Sequence, residues 1–117
     1  MVERHLHTPV YDLRRVKSLA GKKHVDWKGI NAQIRCQQEL NLSTEQVCNE
    51  IEYLALDDYV KTFYYDNNPT PNDGYKMNIT DGYGRRVTAY LKVCIDDDRV
   101  VLIIGSFHGS FTWVHDE

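Results

Sequence analysis

No stretch of this chain of 117 residues stays apolar for anything near the ~20 residues that a membrane-spanning helix needs. Met1 to Pro9 is polar and lacks the apolar centre of a secretory leader, so the cytoplasm is the expected location and no membrane partner is expected. Cysteine is scarce and odd in number. Cys36, Cys48 and Cys94 have no close spacing, which argues against a disulfide framework or a zinc site and for reduced, buried thiols. Positive charge is also short: a net charge of −3 is evidence against a protein that coats nucleic acid, since counterion release rewards a dense basic surface. Any RNA contact then has to be focused on a local patch. The motifs G-x-x-x-x-G-K-S/T, G-x-S-x-G and H-E-x-x-H are missing, and D-G-Y-G at Asp81 to Gly84 has too few glycines to cradle a pyrophosphate, so no cofactor is expected. With no internal repeat, low-complexity segment or linker, residues 1–117 read as one domain.

What is present reads as helices followed by strands. Residues 1–7 are expected to be a flexible arm, and His5 and His7, without a third ligand nearby, belong to it rather than to a metal site. Thr8-Pro9 predicts a helix start, with Leu13, Val16, Leu19 and Ala20 as its apolar stripe and Gly21 as its stop. The connector from Gly21 to Lys28 sends Val25 and Trp27 into the core at strand-like spacing. Gly29 to Leu40 predicts a second helix facing inward through Ile30, Ile34, Cys36 and Leu40. Ser43 with Gln46 is a capping box for a third helix, burying Val47, Ile51, Leu54 and Ala55 and stopping near Asp57-Asp58.

There the hydrophobic period changes from 3.6 to 2. Tyr59 to Asp66 reads as a strand, Asn67 to Asn72 as a loop because of its two prolines and its amides, Asp73 to Thr80 as a strand and Asp81 to Gly84 as a turn. Val87 to His108 then forms the central hairpin. Its first half alternates, with Val87, Ala89, Leu91, Val93 and Ile95 on one face and Thr88, Tyr90, Lys92 and Cys94 on the other. Its second half is apolar and β-branched, as an interior strand should be. Phe111 and Trp113 share a side and predict a short last strand. The fold class is therefore α+β: about three helices (residues 8–56) on one face of a four- to five-stranded, mainly antiparallel sheet (residues 59–114).

Residues that can carry chemistry gather in the sheet half: Lys61, Asn72, Tyr75, Arg85, Arg86, Tyr90, Lys92 and His108. Composition alone leaves two readings, ordinary sheet-surface residues or a site. Asp96-Asp97-Asp98 reads as a solvated turn rather than a cation site, because consecutive side chains diverge and no acidic partner follows at calcium-loop spacing.

A set of collinear segments adds to this. H-T-P-V-Y-D-L-R-R-V-K at His7 to Lys17, L-N-L-S-T-E-Q-V-C-N-E-I at Leu40 to Ile51, D-D-Y-V-K-T-F at Asp57 to Phe63, D-G-Y at Asp73 to Tyr75, Y-L-K at Tyr90 to Lys92 and L-I-I-G-S-F-H at Leu102 to His108 together resemble the MqsR-type toxins of bacterial type II toxin–antitoxin pairs. The resemblance implies a RelE-like fold and metal-independent cleavage of messenger RNA away from the ribosome, neutralised by a cognate antitoxin. It also implies a site. Lys61 matches the family's lysine on the strand after the third helix, and Tyr90 its tyrosine in Y-L-K. Asn72 stands where the family has glutamine, and His108 where it has a terminal lysine.

In such cleavage the substrate's 2′-hydroxyl attacks the adjacent phosphorus, so a proton must be removed, a phosphorane stabilised and the leaving 5′-oxygen protonated. Lys61 is then expected to stabilise the phosphorane or act as base, Tyr90 to orient the phosphate or the scissile nucleotide, and His108, of a residue type that titrates near neutrality, to act as acid or base. Asn72 and Tyr75 are assigned to substrate binding. Arg85, Arg86 and Lys92 supply the local positive field. A three-residue turn at Asp96 to Asp98 places Tyr90 and His108 roughly 13 Å apart along the ladder, whereas a turn centred on Asp98-Arg99 with a bulge at Gly105 sets them opposite each other. The second register is expected. The competing reading is a catalytically inert domain that pairs a sheet edge with a protein partner; the free protein is expected to be a monomer or weak dimer.

Overall fold

Local sequence signals start and stop most elements of the fold, and tertiary contacts override them in a few places. The computed structural model describes residues 2–4 and 8–109. The chain runs β1 (Val2–Arg4), α1 (Leu13–Gly21), β2 (Val25–Trp27), α2 (Ile30–Leu40), α3 (Thr44–Ile51), a 3₁₀ turn (Leu56–Asp58), β3 (Tyr59–Tyr65), β4 (Asn68–Thr80), β5 (Arg86–Asp96) and β6 (Val101–His108). His5, His7, Phe111 and Trp113 lie outside the described residues. Among the described residues no helix is long and apolar enough to cross a membrane.

Helix α1 begins at Leu13 rather than at Thr8-Pro9, because the Val10 and Tyr11 amides donate to the buried carboxylate of Asp73 at 3.0 and 2.8 Å. Asp12 caps the helix instead, accepting from the Arg14 amide at 2.9 Å. Its Val16, Leu19 and Ala20 are buried as the stripe predicts. In α2 the expected inward face splits. Cys36 and Leu40 are buried, whereas Ile30 and Ile34 are exposed. At 3.6 residues per turn the two pairs lie roughly 120° apart around the helix, so one orientation cannot serve both. The capping box of α3 is formed: Ser43 Oγ accepts from the Gln46 amide at 3.2 Å and Gln46 Oε1 from the Ser43 amide at 2.8 Å. The helix ends at Ile51, earlier than Asp57-Asp58; Leu54 is still buried but sits on a turn, and Ala55 is exposed.

The sheet has strand order β1-β3-β4-β5-β6-β2, antiparallel except for β2 beside β6. The four meander strands are those the alternation predicts, with a three-residue strand added at each edge. The connector residues Val25 to Trp27 are one of these edges, paired with Leu102 to Ile104. The expected loop at 67–72 is mostly strand. Asn68 pairs with Tyr65 and Asn72 with Phe63, so four steps on β4 face two on β3 and the prolines occupy a bulge that needs no ladder donor.

In β5, Ala89, Leu91, Val93 and Ile95 join the core beneath the helices, with Tyr75, Met77 and Ile79 of β4 and Leu102, Ile104 and Phe107 of β6. Phe63 and Tyr90 form a second, smaller cluster on the opposite face, with Tyr65 against it. The β5–β6 turn occupies 97–100, Asp96 pairing with Val101. Lys92 then pairs with Ser106 but Val93 with Ile104, which leaves Gly105 as the bulged residue. Tyr90 therefore faces His108, the second of the two registers.

Candidate active site

The face turned away from the helices is built in rows. Lys76, Tyr90 and His108 form one row across β4, β5 and β6. Lys61, Gly74, Lys92 and Ser106 form the next, roughly 7 Å along the strands. Tyr90 and His108 are each buried, their ring centroids 6.2 Å apart. Since Gly74 has no side chain, Lys61 and Lys92 converge over one ring: their ammonium groups lie 4.9 and 4.2 Å from the centroid of Phe63. Phe63 stacks on Tyr65 at 6.3 Å, and Lys92 also donates to the Tyr65 hydroxyl at 3.1 Å. Each ammonium held over an aromatic face at such range contributes about 0.5–2 kcal/mol. Two cations are thus concentrated beside a buried tyrosine and a histidine, in a protein whose net charge is negative.

Asn72 belongs to the same face. It is buried, its Nδ2 reaches the Thr70 carbonyl only at 3.5 Å, and its Oδ1 has no hydrogen-bond partner among the described residues. A Cβ on Gly105 would lie 3.2 Å from that Oδ1, so the glycine that makes the bulge also makes room for the amide. Beside it opens a pocket of about 580 Å³, lined by Lys28 and Gly29 after β2, by Thr70 and Asn72 of β4, by Cys94 and Ile103 between them and by the Asp96–Arg99 turn. Asp96 is engaged there. Arg99 Nε donates to it at 2.8 Å, and that bond first of all holds its carboxyl below the usual range. Among the described residues no group of three metal-ligating side chains occurs.

Protonation follows from burial. Desolvation pushes the Tyr90 hydroxyl up, so at neutral pH Tyr90 keeps its proton and can serve as a donor but not as a base. Burial also raises the Cys94 thiol, which leaves it un-ionised and a poor nucleophile.

Three of the residues expected at the site are elsewhere. Tyr75 points into the core beneath the helices, fully buried and edge-on to Tyr59 at 5.8 Å, because three residues separate it from Asn72 and an odd separation in a strand changes face. Arg85 staples the preceding turn, its Nε on Asp81 at 2.8 Å and its Nη2 on the Glu39 carbonyl at 3.0 Å. Arg86 pairs with Thr80, four residues and roughly 13 Å from Tyr90. The positive field comes from lysines instead. Lys76 was missed although the alternation of β4 puts it on the side of Asn72. Lys28, whose ammonium is 5.9 Å from the Tyr65 centroid, gave no local signal, since a parallel edge strand brings it there.

No curated protein matches the chain. Residues 8–109 match the family described as motility quorum-sensing regulator, toxin of MqsA.

Proposed function

The chain belongs to the MqsR toxin family and so to the toxins of toxin–antitoxin systems, with an antitoxin as partner, and from that premise we propose that it is a cytoplasmic endoribonuclease that cleaves single-stranded mRNA without a metal. The observation that carries this reading is the Gly105 bulge, which sets His108 directly across from Tyr90 and one row from Lys61 and Lys92. The 2′-oxygen attacks phosphorus as its proton leaves, the phosphorane carries the excess negative charge, and the P–O5′ bond breaks as O5′ gains a proton. The products are a 2′,3′-cyclic phosphate and a 5′-hydroxyl. Tyr90, protonated, donates to a phosphoryl oxygen. Lys61 and Lys92 offset the phosphorane's charge, and His108 moves the proton at one of the two oxygens. Asn72 binds the nucleotide. Tyr90 and His108 are buried, so the reading requires this face to open when RNA binds.

The test is purified protein with defined RNA in EDTA, with the product ends analysed. Cyclic phosphate ends that vanish in Tyr90→Phe and Lys61→Ala support the proposal. Cleavage that needs added metal contradicts it, and no cleavage together with no growth arrest on expression leaves the inert interaction domain as the better reading.

A further inference from the structure

The start of α2 has the makings of an anion site that the reaction above does not use. Gly29 is its N-cap and supplies no side-chain cap, and the first turn carries no acidic residue, so the leading amides of the helix have no intrahelical acceptor and no carboxylate of that turn to satisfy them. Lys28 precedes them, exposed, with its amide fixed to the Ile104 carbonyl at 3.0 Å. Both residues border the pocket described above. The far wall provides a second, independent sign of a ligand: Asn72 is only 3% exposed, lines the same pocket, and its Oδ1 has no hydrogen-bond partner among the described residues.

We infer that this pocket takes the nucleotide next to the scissile one, with that nucleotide's outer phosphate at Lys28 and the uncapped amides of α2 and its sugar or base against Asn72. The inference rests on the ribonuclease reading and adds a subsite to it. RNA would run from the Tyr90–His108 row past Lys92 to Lys28, a path lined by ammonium groups and by the faces of Phe63 and Tyr65. Asp96 to Asp98 line the same pocket, and their charge disfavours a further phosphate there, so the track takes one nucleotide on that side.

The experiment uses the shortest dinucleoside monophosphate that the wild type cleaves, with and without an added terminal phosphate at its 5′ or 3′ end. Wild type should gain about tenfold in kcat/KM from the phosphate at one end, the effect of one charge-assisted hydrogen bond. Lys28→Gln should remove most of that gain. Gly29→Asp should remove it too while leaving the melting temperature unchanged or raised, because a Cβ there meets nothing within 4 Å and aspartate is a good N-cap whose carboxylate then occupies the amides. Lys22→Gln, at the exposed C-cap of α1 and outside the pocket lining, should keep the wild-type gain. A wild type that cleaves the dinucleotide with no gain at either end, or a gain that survives in both pocket variants, overturns the inference alone. A wild type that cleaves no RNA overturns the ribonuclease reading and the subsite with it.

Discussion

Tyr75 and Tyr90 lie on neighbouring strands, one ladder step apart, and each is buried with its hydroxyl pushed up by desolvation. They nevertheless belong to different parts of the protein. Tyr75 faces the helices among Met77, Ile79 and Leu91, beside the buried carboxylate of Asp73. Tyr90 faces His108 and the lysine row. One side of the sheet is apolar, continuous and closed by helices; the other sets lysines, an amide and an imidazole around two stacked rings. A pleated strand assigns alternate residues to these two sides, so alternate substitutions along β5 should separate stability from activity.

The largest expected effect is on activity. Tyr90→Phe removes the donor that the proposed reaction assigns to the phosphate and should lower kcat by roughly 10²–10³ while leaving the unfolding midpoint nearly unchanged, as steady-state kinetics and thermal denaturation will show. Its neighbour should do the reverse. Leu91→Ala empties a fully buried position on the helix side and should cost about 2–5 kcal/mol in denaturant titrations, with the cleavage rate per folded molecule preserved. If the two variants lose activity and stability in the same proportion, the division between the faces is wrong.

Gly105→Ala tests the bulge that joins them. The new methyl meets Asn72 Oδ1 at 3.2 Å and the Lys92 carbonyl at 3.4 Å, so the amide must shift and kcat/KM should fall severalfold with little loss of stability. Unchanged kinetics would remove Asn72 from the site.

A smaller, pH-dependent effect belongs to Asp73. Burial holds its carboxyl above the usual carboxylate range, although the amides of Tyr11 and Val10 and the hydroxyl of Thr62 donate to it. The folded protein therefore binds that proton more tightly than the unfolded chain, and the stabilisation from protonation is present at low pH and lost as pH rises through the raised value. The stability difference between wild type and Asp73→Asn should accordingly move in favour of wild type as pH falls from 7 toward 4; a constant difference would contradict the assignment. The smallest effect is expected of Arg85→Ala, which loosens the turn at Asp81 and should leave RNA cleavage untouched.

Residues whose neighbours are near in sequence were legible in advance. The capping box at Ser43, the alternation of β5 and the stripe of α1 all follow from local periodicity. Tyr75, Arg85 and Arg86 share the sheet half with the lysine row, but strand parity turns Tyr75 to the helices and the ladder carries Arg85 and Arg86 away from Tyr90. Parity, applied strictly, would have excluded Tyr75 and admitted Lys76. No local rule would have found Lys28, or the early claim that Asp73 makes on the amides of Val10 and Tyr11.

The sequence by itself determined which side of its own strand each residue occupies, because the side-chain period of a strand is two and is a property of the backbone alone. It also carried, in Gly105, the residue at which a bulge is least costly. Only the tertiary structure decided what those sides meet: Lys61 beside Lys92 across Gly74, Tyr90 opposite His108, and Lys28 at the mouth of the pocket. Such neighbours depend on register and strand order, which are set by pairings between residues far apart in the chain and by the burial those pairings achieve together.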